Sequence, residues 1–320
     1  MFDWIQTIAD HITYTWLQLN GSHLGEAINF FIYDGIKIFL LLVLIVHIMT
    51  LINHFLPIEK IRDFLARNRF YGFDYFLSAL FGAVTPFCTC SSIPMFVGFL
   101  KAGIPMGITF TFLITSPLIN EVAVALFIGL FGWKVTVVYL VSGMLLGIVG
   151  GWIIGKLNME SQVAEFIWKK GSVLNETEKE KIELGTFLNQ VIKDSFSLIW
   201  KIMPYILLGV AVGGLIHGFV PTGFFERYIT KSNPFAVPMA VLLGIPMYAN
   251  ATSIVPIIQA LIVKGIPLGT GLAFMMAVVG LSLPEFLILR KIMKIKLLLT
   301  FFGIVGFFMI LLGYFFNLVL

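Results

Sequence analysis

The chain has 320 residues, 59% hydrophobic and 12% charged, with a formal net charge of +4 and a mean hydropathy of +0.98. Water-soluble domains are about 45–50% apolar and about 25% charged, so this composition excludes a soluble fold and makes lipid the solvent for much of the surface. The basic residues stand at the ends of apolar runs, which names the lipid bilayer as partner and excludes nucleic acid.

Residues 1–33 form an N-terminal segment. Its first 27 positions hold no Lys or Arg, so no basic region precedes an apolar core and a cleavable signal peptide is not expected. Trp4, Tyr14 and Trp16 suit an amphipathic helix at headgroup level. A first membrane repeat follows over 34–156, with apolar segments near 34–56, 72–100, 104–130 and 133–156. A polar, Glu- and Lys-rich loop occupies 157–195. The second membrane repeat, 196–320, holds segments near 196–219, 235–263, 266–289 and 297–319. There is no Walker loop or dinucleotide fingerprint, so no cofactor is expected.

Four segments, a loop and four more suggest duplication. A shift of 162 residues aligns Gly82 with Gly244, Ser91 with Ser253, Pro94 with Pro256 and Gly103 with Gly265. Ile104, Pro105, Gly107 and Phe112 likewise meet Ile266, Pro267, Gly269 and Phe274. That makes eight identities in 31 positions, concentrated on the residues that dictate backbone shape.

Lysine and arginine choose between two topologies. If all eight segments cross and the N-terminus is outside, eleven basic residues fall inside and ten outside. If 72–100 and 235–263 instead enter, turn and leave on one side, sixteen fall inside and five outside, as the positive-inside rule requires. The expected fold is therefore an all-α polytopic membrane protein of two inverted repeats. Each has three spanning helices plus a re-entrant broken-helix hairpin, with both termini outside and the 157–195 loop cytoplasmic. Two Pro-kinked spanning helices are the alternative to the hairpins.

The hairpin bends would be polar islands, Thr85 to Ser92 and Pro246 to Ser253. Each is followed by Pro94 or Pro256 as a helix-start signal. Irregular backbone at membrane depth persists only where it lines protein or water. Thr85, Pro86, Cys88, Thr89, Cys90, Ser91 and Ser92, with Asn120, Tyr248, Asn250, Thr252 and Ser253, are therefore the candidate substrate-binding residues. Two half-helix N-termini there would favour an anion or oxygen-rich solute. Cys88 and Cys90 suit a thiophilic substrate rather than a resident metal, although a buried Cys also serves as a small hydrophobe. Glu121 and Glu285 follow Ser116-Pro117 and Leu283-Pro284 inside spanning segments. They are candidates for proton coupling, or for bonding the backbone groups freed at each break.

These motifs carry a family resemblance. TPFCTCSSIPMFVGFLKAGIPMG, followed by TSPLINE, resembles the signature of the predicted-permease family typified by the ArsP organoarsenical exporters. GIPMYANATSIVPIIQALIVKGIPLGTGLAFMMAVVGLSLPE looks like its second repeat. The resemblance implies a multi-pass permease of the inner cell membrane. In characterised relatives it implies export of methylated trivalent arsenicals. Some relatives carry a Cys in the second hairpin where this chain has Asn250, which leaves Cys88 and Cys90 as the sulfur ligands. The expectation is a secondary permease, not an enzyme, that exports a small thiophilic or oxyanionic solute and is compatible with a homo-oligomer. A permease for a sulfur-containing or other small anion is the alternative. An intramembrane thiol oxidoreductase is the reading from another class.

Overall fold

A computed structural model describes residues 3–19, 21–55, 72–85, 89–101, 103–119, 121–164, 233–247, 249, 251–263 and 265–320, with isolated positions between 192 and 214. Among these residues the fold is helical and holds no named strand. The helices are α1 (Asp3–Asp10), α2 (His23–Phe55), α3 (Phe73–Val84), α4 (Thr89–Lys101), α5 (Met106–Leu118) and α6 (Glu121–Lys156), followed by α7 (Ala236–Gly244), α8 (Ala251–Val263), α9 (Leu268–Gly280), α10 (Leu283–Leu289) and α11 (Ile295–Val319). Among the described residues, three stretches, Ala123–Lys156, Leu268–Leu289 and Ile295–Val319, are long and apolar enough to cross a membrane.

α1 continues into a π-helical turn, His11–Trp16, and packs on α2. Trp4 and Trp16 are exposed while Ile5, Ala9 and Thr13 are buried, the one-sided pattern of an amphipathic helix. The helix over the expected span 34–56 starts earlier, at His23, and is described to Phe55.

Local sequence sets the next elements. Gly103 adopts φ +79 and Gly265 φ +100, a region open to Gly without penalty. At the end of α4, Gly103 N–H bonds Leu100 O at 3.0 Å and Ile104 N–H bonds Phe99 O at 3.0 Å. At the end of α8, Gly265 N–H bonds Ile262 O at 2.9 Å and Ile266 N–H bonds Leu261 O at 3.1 Å. Both are glycine stops that satisfy the last carbonyls. Pro105 and Pro267 then start the next helix with φ, ψ of −52, 137 and −58, 137. Thr89–Lys101 and Ala251–Val263 thus recur 162 positions apart, as do Met106–Leu118 and Leu268–Gly280.

α5 is the hub of the first half. α3 runs beside it in the same sense: Ser78 Oγ donates to Ile108 O at 2.7 Å, and a Cβ on Gly82 would stand 3.2 Å from Ser116 N. α4 runs against it, from Ser92 at Ser116 to Phe96 on Phe110, with rings 5.1 Å apart. α3 and α4 therefore run in opposite senses along α5. α6 contains a non-helical Gly132 (φ 82, ψ 170), and its part beyond that break also runs against α5. There Tyr139 OH donates to Leu118 O at 2.9 Å, and Gly151 meets the Gly107 carbonyl.

α9 plays the same part in the second half. A Cβ on Gly244 would lie 3.0 Å from Phe274 O and 2.9 Å from Ala277 Cβ. Gly271 faces Ile258 and Ile262, and Gly313 faces Ala273 and Gly269. Asn317, where the first half has Gly155, accepts from Gly269 N–H at 2.8 Å and donates to Thr270 Oγ1 at 3.1 Å. Small residues at such seams let helices approach backbone to backbone, the usual basis of packing in lipid. Leu145, Trp152, Leu299, Phe307 and Leu311 are exposed and apolar, as a lipid-facing surface should be.

Candidate functional site

The breaks in the two broken helices meet at the centre. α5 ends at Leu118, Ile119 is extended (φ −120, ψ 105), and helix resumes at Glu121. α9 ends at Gly280, Leu281 and Ser282 leave helical geometry, and helix resumes at Leu283. The Leu118 side chain rests on Gly280, where a Cβ would stand 2.9 Å from Leu118 Cδ2. The Tyr139 hydroxyl takes up the Leu118 carbonyl that the break frees. Buried polar backbone must find such a partner.

Glu285 is 1% exposed and Ser282 is 1% exposed. Among the described residues, neither Glu285 oxygen nor Ser282 Oγ has a hydrogen-bond partner. Ser282-Leu283-Pro284-Glu285 spells a capping box, in which Ser and Glu would satisfy each other's backbone N–H groups. Ser282 has the extended geometry of a cap (φ −67, ψ 155), yet makes no side-chain cap bond. The α10 helix packs against α4, the helix that follows the first polar bend, and α8, which follows the second bend, packs against α6.

The other expected site residues fall as follows. Ser92 is fully buried, and its hydroxyl lies 2.6 Å from that of Ser116. Thr85 Oγ1 donates back to Phe81 O at 2.7 Å, closing the end of α3. Thr89, Cys90 and Ser91 stand in the first turn of α4, Thr252 and Ser253 in the first turn of α8, and Glu121 begins α6. The side chains of these six lie outside the described set, as do Pro86, Cys88, Asn120, Tyr248 and Asn250 altogether. The helix after each bend starts earlier than the proline signal indicates, so Pro94 sits inside α4. Pro94 has no N–H to offer the carbonyl four residues before it, and Cys90 supplies that carbonyl.

Three contributors were missed in the sequence. Ser116 and Ser282 stood visibly at the Pro interruptions, but nothing there marked them as facing the core. Tyr139 sits among Val and Leu with no local signal; only the break at Leu118 explains it. Among the described residues, no three His, Cys, Asp or Glu side chains gather as a metal site.

A family model described as a predicted permease matches residues 23–318. The chain is 24% identical to UPF0718 protein MJ0584 of Methanocaldococcus jannaschii, over 85% of this chain and 92% of that protein. It is 25% identical to UPF0718 protein YraQ of Escherichia coli, over 78% and 68% of the two chains. A shorter match, 36% identical over 25% of this chain and 27% of the other, joins it to UPF0718 protein YcgR of Bacillus subtilis. No solved structure matches the chain. With the broken apolar helices and spanning stretches described above, the match over nearly the whole length identifies the chain as a membrane protein belonging to the predicted-permease family.

Proposed function

We propose that this permease is a proton-coupled secondary exporter of a small thiophilic solute, methylated trivalent arsenic, working from the cell (inner) membrane by alternating access between two inverted repeats. The observation that carries it is the pair of broken helices meeting at Leu118 and Gly280, with the buried Glu285 one turn into the helix that follows Gly280 and without a hydrogen-bond partner among the described residues. An ionisable residue buried in a membrane interior is costly, and it is kept where solute or protons use it.

Several contacts support the inverted arrangement. Leu118 and Gly280 are counterparts at the 162-residue spacing, and they touch. Counterparts in two equivalent units meet where a twofold axis passes. α11 follows α5 in the same sense, from Phe301 on Phe110 to Met309 near Leu118 and Gly280. It runs against α9, with Gly306 at Leu281 and Gly313 at Gly269. α5 and α9 therefore point in opposite directions, which favours inversion over simple repetition. Val163 pairs with Met293. These two positions would lie on opposite sides if all eight segments crossed, but share a side with three crossings and one re-entrant hairpin per half.

In this reading the bends hold the solute. The family resemblance supports the arsenical, with Cys88 and Cys90 exchanging for its hydroxyl ligands. Thr85, Ser91, Ser92, Asn120, Tyr248, Asn250, Thr252 and Ser253 provide polar lining, while Glu121 and Glu285 exchange protons. The test is uptake of methylarsenite into everted vesicles. Cys88→Ser with Cys90→Ser should abolish uptake while leaving membrane insertion intact. Uptake retained by the double variant would remove the thiol mechanism and move the reading to a permease for small anions held by helix N-termini.

A further inference from the structure

At one end of the molecule the two halves are joined by main chain as well as by side-chain packing. Beyond α6 the chain turns through Glu160–Gln162 and pairs with the connection between α10 and α11. Ala164 N–H donates to Ile292 O at 2.8 Å, and Lys294 N–H donates to Gln162 O at 2.7 Å. The Lys294 ammonium adds a bond to Ser161 O at 3.1 Å. Val163 and Met293, the bridged pair, are buried at 2% and 1% exposure and form an apolar plug beneath these bonds.

We propose that this pairing is a latch. It closes the Lys- and Arg-rich face of the permease in the state described here, and it must part each time the halves rock. The proposal rests on the reading of the chain as a permease of two moving halves. Within each half the helices meet along glycine seams, backbone on backbone, as at Gly107 and Gly151 or Gly269 and Gly313. Those seams cannot slide without clashes, so each half moves as a block. The latch differs in kind. It consists of two main-chain bonds and one exposed lysine bond, and water can replace all three once the plug lifts. It is directional enough to fix one closed position and weak enough to open within a transport cycle.

Two backbone-level variants test it. Lys294 has φ −67 and ψ 154, the geometry proline prefers, so Lys294→Pro fits the chain while deleting both the N–H and the ammonium. Lys294→Ala removes only the ammonium. In inside-out vesicles of protein whose native thiols are removed by Cys88→Ser and Cys90→Ser, a thiol placed by Ser282→Cys should react with a membrane-impermeant maleimide about tenfold faster with Lys294→Pro than with Lys294→Ala. Equal rates would overturn the latch, and this measurement needs no transported substrate. Locking is the reverse test. Val163 and Met293 form a non-hydrogen-bonded antiparallel pair, whose ~4.5 Å Cα separation suits a disulfide. Oxidised Val163→Cys/Met293→Cys protein should lose methylarsenite flux by at least about tenfold and recover it on reduction with a phosphine. Wild-type protein treated alike should keep its flux. Full flux through fully cross-linked protein would overturn the latch, whereas wild-type vesicles that carry no methylarsenite would count against the proposed substrate and leave the maleimide test to decide.

Discussion

Replacing Gly151 with Ala puts one methyl group into the tightest seam of the first half. Its Cβ would stand 2.6 Å from Gly107 O and 2.7 Å from Thr111 N, and would also collide with Thr111 Oγ1. A carbon needs about 3.3 Å from such atoms, so α5 and α6 must separate by about 0.7 Å, which forfeits a quarter to a half of each dispersion contact along the seam. Both neighbours are backbone inside helices and cannot turn aside. The expected loss is at the upper end of overpacking effects, about 3 kcal/mol, offset by the better helix propensity of Ala, about 1 kcal/mol. A net loss of about 2 kcal/mol remains. Gly280→Ala is the control. Its Cβ would meet Leu118 Cδ2 at 2.9 Å and Met309 Cε at 3.2 Å, the free ends of flexible side chains. Those ends can swing away, so its stability should change by less than about 1 kcal/mol. Unfolding of the purified protein in mixed micelles by added denaturing detergent measures both. Equal stability for the two variants would refute the claim that the seams are rigid while the axial contact is soft.

Glu285→Gln keeps the side-chain shape and removes the exchangeable proton. It should leave folding intact while making methylarsenite flux insensitive to pH, and flux that still follows pH would clear Glu285 of coupling. Tyr139→Phe strands the Leu118 carbonyl in the core and should cost about 1–3 kcal/mol in the same unfolding assay. Ser92→Ala and Ser116→Ala each break the 2.6 Å contact between α4 and α5. If that bond stabilises the fold, the double variant should lose less than the two single losses added together, by about 0.5 kcal/mol or more; strict additivity would show that the hydroxyls do not cooperate.

The sequence by itself determined the apolar solvent and the Gly and Pro positions that recur 162 residues apart. These depend on one-dimensional properties: apolar run length, and Gly and Pro at positions where the backbone has no alternative. Gly103 and Pro105, with Gly265 and Pro267, end and begin helices in the same way wherever they sit, so the 162-residue spacing was legible before any contact was known. The side choice of the positive residues is likewise a one-dimensional signal, and it leads to the topology adopted in the proposed function. Tertiary structure alone decided which residues share the centre. The contact of Leu118 with Gly280, the capture of the Leu118 carbonyl by Tyr139 and the pairing of two polar loops all join positions far apart in the chain. A capping-box sequence reads as satisfied from sequence; only packing can show that its two side chains find no partner among the described residues, because burial and hydrogen-bond geometry depend on neighbours that the local sequence does not contain.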